Sequence, residues 1–129
     1  MNQTFGAFVR QKRMALGISL RGLAARLGLS PVYMSIIETD RKPAPAQEHL
    51  DRLAEELHLS KEERELFLDL AAASQKMKVP ADLPEYIMER DIVRAALRTA
   101  KEVDATDEEW QEFIDRITKR TSKNRRDGP

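Results

Sequence analysis

The chain has no cysteine among its 129 residues. A disulfide framework and a thiolate metal site are therefore both excluded, and the composition suits a reducing compartment. No stretch approaches the ~20 consecutive apolar residues of a membrane-spanning helix. The opening "MNQTFGAFVRQKRMALG" has neither a continuous apolar core nor a small-residue cleavage pattern, so it does not read as a signal peptide. No segment alternates like a strand, and no repeat of 20–50 residues is present. A nucleophile elbow, a phosphate loop and zinc-ligand spacing are all absent. His49 and His58 stand nine apart, which is not the i, i+4 spacing of a metal-binding helix. They are expected to be ordinary surface or rim histidines. No enzyme, no cofactor and no metal is expected.

Net charge is also lacking, with 22 basic and 22 acidic residues. The balance conceals a polarity. Residues 1–45 carry seven basic residues against two acidic ones, whereas residues 46–75 carry three against eight. A basic first third on a neutral chain points to a local polyanion-binding face.

What is present is helical periodicity. Thr4 is placed to cap a helix running to about Leu16, which Gly17 ends in a left-handed conformation. Ser19 caps a second helix, where Leu20, Leu23, Ala24 and Leu27 make one apolar stripe at i, i+3, i+4, i+7. Gly28 closes it. Ser30 caps a third helix, with Pro31 in the first turn where its missing N–H costs nothing, running to about Thr39. "DRKPAPA" is a proline-broken loop. A fourth helix covers about 46–57, with Leu50, Leu53, Ala54 and Leu57 inward. Ser60 and Glu63 form a capping box for a fifth, whose expected core face is Leu66, Phe67 and Leu70.

"KMKVPADLP" marks the expected domain boundary. Beyond it, one helical pattern spans roughly 84–102, with a break near Asp91, which could cap a new start. Another opens with the capping box Thr106 and Glu109 and carries the stripe Trp110, Phe113, Ile114, Ile117. The organisation expected is a domain at 1–75, a helical extension at 76–120 and a disordered basic tail at 121–129.

The tight joint between the second and third helices is a helix-turn-helix arrangement. In such a pair the second member enters the DNA major groove. Here that is the helix over 30–39. Met34 and Ile37 suit its inner side. Val32, Tyr33, Ser35, Ile36 and Thr39 supply methyls, a ring and hydroxyls for base edges. Arg41 and Lys42 follow at once, in reach of phosphates.

The stretches "KRMALGISLRGLAARLGLSPVYMSIIETDRKP" and "LDRLAEELHLS" resemble the Xre/Cro-repressor-type helix-turn-helix family over residues 4–73. The resemblance implies an all-α fold: a five-helix lambda-repressor-like domain followed by the C-terminal helical extension. It implies that Glu38 pairs with Arg13, and that Ser19 and Thr39 approach phosphates; Ser30 is also expected among the DNA-binding residues. Two departures stand out. Many relatives place Gln where Leu20 stands, so here backbone N–H groups at that helix start must hold a phosphate alone. Many also have Gly where Asp40 stands, though Asp tolerates the left-handed conformation better than most residues. The outward side of the third helix has no Gln, Asn or Arg, which implies modest specificity per half-site or help from DNA shape.

Arg10, Lys12 and Arg21 read individually as solubilising surface charges. Val93, Leu97, Trp110, Phe113, Ile114 and Ile117 read as a dimer or partner interface. The expected function is a transcriptional regulator of bacterial or phage origin, cytoplasmic, repressing by binding an inverted-repeat operator in double-stranded DNA as a homodimer. The alternative is an antitoxin that binds a toxin protein through residues 84–120 and represses its own operon. No membrane association is expected.

Overall fold

The computed structural model describes residues 3–76 and 79–126, the side chains as far as residue 120. All regular structure among them is helical: α1 (Phe5–Ala15), α2 (Leu20–Leu27), α3 (Pro31–Glu38), α4 (Gln47–Glu56), α5 (Lys61–Ser74), α6 (Pro84–Glu89), α7 (Asp91–Val103) and α8 (Asp107–Arg126). Among the described residues no helix is long and apolar enough to cross a membrane.

Local side-chain chemistry sets most of the helix starts. The hydroxyls of Thr4, Ser19 and Ser30 accept from the backbone N–H of Ala7, Gly22 and Tyr33, which satisfies donors that a helix start leaves unpaired. Ser60 and Glu63 satisfy one another's backbone N–H at α5, and Thr106 and Glu109 do so at α8. Five of the helix ends share one device. A residue in the left-handed region lets the following N–H reach back five residues. Gly17 (φ 69°) and Gly28 (φ 69°) do this after α1 and α2. Asp40 (φ 60°), His58 (φ 52°) and Asp104 (φ 55°) do it after α3, α4 and α7 without being glycine.

The chain divides into two compact units, Met1–Tyr86 and Ile87–Pro129. In the first, α1 to α5 close around one apolar core. Phe8, Val9, Leu23, Met34, Ile37, Leu53 and Phe67 are essentially sealed from water. Phe67 stacks at a tilt against Phe5 (5.2 Å between centroids) and Phe8 (6.0 Å), so α5 is pinned to α1 by aromatic contact as well as by area.

Four expectations need correction. The core face of α5 is Phe67, Leu68, Ala71 and Ala72, while Leu66 is 44% exposed and Leu70 only packs at the margin. The run from Leu66 to Ala73 is apolar on most sides of the helix, so periodicity could not choose between faces; contact with α1 did. The break in the later helical pattern falls at Arg90, and Asp91 is the first residue of α7 rather than its cap. Arg94 explains the break: its Nη1 donates to the carbonyls of Ile87 (2.8 Å) and Met88 (2.6 Å), the loose end of α6, and its Nη2 pairs with Asp91. The first unit extends to Tyr86 instead of ending at 75, because the proline segment returns to it. Val79 and Ala81 line a shallow cavity with Leu50, Leu68 and Ala72. Finally, α8 continues to Arg126 through the stretch expected to be disordered, where neither Gly nor Pro occurs before Gly128. Residues 127–129 of that expected tail lie outside the described residues.

Candidate nucleic-acid interface

The turn between α2 and α3 is three residues, Gly28 to Ser30. Leu29 N–H bonds Ala24 O at 2.9 Å, closing the end of α2. Ala24, whose carbonyl takes that bond, is fully buried in the core. Met34 and Ile37 hold the inner side of α3 in the core. This leaves the opposite side of α3 to solvent.

On that side Val32 is 71% exposed and Ser35 is exposed. Tyr33 and Ile36 are half-buried, and Tyr33 also packs on the edge of the core. Thr39 is exposed, but its hydroxyl donates to Ser35 O at 2.9 Å and so first serves the end of α3. Ser19 and Ser30 are exposed and occupied as caps, each with one lone pair and its hydroxyl proton left for a further partner. Arg41 and Lys42 are exposed, and among the described residues neither pairs with a carboxylate. Lys42 Nζ lies 5.9 Å from the ring centroid of Tyr33, which orients the ammonium beside α3.

Behind this face lies a buried ion pair. Arg13 Nε donates to Glu38 Oε2 at 2.7 Å and Nη2 to Oε1 at 2.9 Å, while Nη1 donates to Ile18 O at 2.9 Å. One guanidinium thus ties α1, the entry to α2 and the last residue of α3. The hydrogen bond to Glu38 raises the Arg13 pKa, against a smaller opposing effect of burial.

Three ties had no signal in the sequence. Asp40 was read only as a departure from glycine. Its carboxylate accepts from Thr4 Oγ1 (2.6 Å) and Gly6 N (2.9 Å), clamping the turn after α3 to the start of α1. Gly6 lies so close to α3 that a Cβ there would stand 2.5 Å from the carbonyl oxygens of Ile37 and Glu38. Lys12, read as a solubilising charge, pairs with Glu63 at the start of α5. The loop carrying Arg41 and Lys42 is anchored too. Ser74 Oγ accepts from Ala44 N at 2.9 Å, and Gln75 Nε2 donates to Ala44 O at 3.0 Å.

The residues read as an interface in the C-terminal unit remain accessible. Val93 and Trp110 are half-buried, and Leu97, Phe113, Ile114 and Ile117 are exposed. Trp110 and Phe113 meet edge-to-face at 5.9 Å. No residue of α6 or α7 is buried.

Five helices around one core, with α3 displayed after a tight turn, define a helix-turn-helix DNA-binding domain, the module of DNA-binding regulators. Comparison with known proteins agrees: residues 4–67 match the model of a family described as a helix-turn-helix domain. A solved SinR protein/SinI protein complex is similar at 22% identity and a TM-score of 0.44, over 92% of this chain and 99% of that one. No curated protein matches the chain in sequence.

Proposed function

We propose that the protein is a transcriptional repressor that binds an inverted-repeat operator as a homodimer, with α3 in the major groove. The observation that carries this reading is the composition of the free side of α3. Val32, Ser35, Ile36 and the edge of Tyr33 form a mild surface suited to thymine methyls and base edges. Arg41 and Lys42 follow it, exposed and without carboxylate partners among the described residues, as phosphate ligands would be. One such module reads only a few base pairs, so two copies on a two-fold site are needed for a useful specificity ratio. Repression then follows from occupation of promoter DNA.

A second reading, an antitoxin that binds a toxin through residues 84–120, is favoured by the accessible apolar residues of α7 and α8. Co-purification of a small protein encoded beside it would support that reading.

The test of the first is a fluorescence-anisotropy titration of the full chain against its own upstream DNA and a shuffled duplex, at several salt concentrations. Tight binding to the native duplex alone, with a steep salt slope, is expected. Equal weak binding to both duplexes would remove the operator reading.

A further inference from the structure

The sequence of α8 is polarised in charge. Residues 107–115 carry five acidic residues and no basic one, and residues 116–126 carry six basic residues and no acidic one. The helix dipole accounts for acids in the first turn and bases in the last. It does not account for Glu112, Asp115 or Arg116, which lie beyond its short reach.

The apolar stripe has a matching symmetry. Around the midpoint between Phe113 and Ile114, Trp110 mirrors Ile117 and Asp107 mirrors Arg120. These residues recur at helical spacing, so they share one side of α8. Phe113 is 52% exposed and Ile114 51%, and Asp107 and Arg120 are exposed at the two ends. The described part of the C-terminal unit has no fully buried residue. Helices of this size need a buried apolar face to hold their shape in water.

We propose that the occupant of this face is a second copy of the chain, with the two α8 helices packed antiparallel about the 113/114 midpoint. In that arrangement Trp110 of each copy meets Ile117 of the other, the Phe113–Ile114 pairs lie on the two-fold axis, and each Asp107 faces an Arg120. A parallel pair would set acid against acid and base against base. An unrelated partner would have no reason to require the mirror relation. Closed two-fold contacts bring residue i to j and j to i, which is the relation this stripe encodes. Flanking charges are a general means of setting helix orientation. The proposal rests on the homodimer reading above and specifies its interface.

The experiment is sedimentation equilibrium of the full chain at low salt, with circular dichroism to confirm equal helix content. Asp107→Arg and Arg120→Asp are each expected to weaken self-association about tenfold at low salt, and less at high salt where the charges are screened. The double variant D107R/R120D is expected to return to within about threefold of the parent, because the swapped charges again oppose each other. An equimolar mixture of the two single variants is expected to form a 1:1 dimer near parental affinity. A monomeric parent, single variants that associate like the parent, or a mixture and double variant as weak as the single variants would each overturn the antiparallel pairing. Operator binding by the parent is measured separately. Its failure would remove the repressor reading while leaving the association result to stand.

Discussion

Arg13 Nε lies 2.7 Å from Glu38 Oε2, and the side chains of the pair are only 13% and 5% exposed. The pair therefore sits mostly out of water, fixing the last residue of α3 to α1. Removing one partner leaves the other charge desolvated and unpaired. Arg13→Ala and Glu38→Ala are each expected to destabilise the domain by about 3 kcal/mol. The double variant is expected to cost much less than the sum of the two. A urea-denaturation double-mutant cycle measures this coupling, and additive losses would deny it.

Gly6 is required by proximity to α3. A Cβ would press on two backbone carbonyls that cannot move without shifting the end of that helix. Gly6→Ala is expected to cost about 1–3 kcal/mol despite alanine's better helix propensity. Gly22→Ala is the control, since its Cβ would meet only the hydroxyl of Ser19 at 3.0 Å and a methyl at 3.6 Å. It is expected to be near neutral. Thermal unfolding of both variants separates the two cases.

Glu63 has its pKa lowered, chiefly by the hydrogen bond from Lys12 and then by the backbone N–H of Ser60. A carboxyl with a depressed folded-state pKa favours folding above its unfolded value. That contribution is lost as pH falls through the folded pKa, below the ordinary 4.5. Stability of the parent is expected to fall with acid in this window, and Glu63→Gln is expected to flatten that part of the profile. Urea midpoints between neutral pH and pH 3 provide the measurement. An unchanged slope would show that other carboxylates dominate.

Lys42 and Val32 are expected to act on DNA in different ways. Lys42→Ala is expected to weaken binding to all duplexes alike and to reduce the slope of log K against log salt by about 1. Val32→Ala is expected to leave that slope unchanged while relaxing preference at one base pair, at about 1 kcal/mol or less. Tyr33→Leu removes the ring beneath the ammonium and is expected to reproduce part of the Lys42 effect. Anisotropy titrations across salt and across single-base operator variants test all three.

The five helices of the first unit and the joint between α2 and α3 were legible because their signals are local. Thr4, Ser19, Ser30 and Ser60 each cap a helix through a bond spanning three residues, and Gly17 and Gly28 mark the left-handed turns. Asp40, His58 and Asp104 adopt the same conformation without a glycine to announce it. Asp40 gains hydrogen bonds from Thr4 and Gly6 that offset the backbone cost, and those partners are 36 and 34 residues away.

By itself, then, the sequence determined where helices begin, which apolar stripes need burial and where positive charge gathers. All of these depend on neighbours within about two turns of helix. Tertiary structure alone decided which face of α5 turned inward and why Gly6 tolerates no side chain. It also decided that Lys12 belongs to Glu63, 51 residues later, rather than to solvent. These outcomes depend on which surfaces meet once the helices pack, and a side chain's contacts at that distance are set by the fold's geometry rather than by its neighbours in the chain.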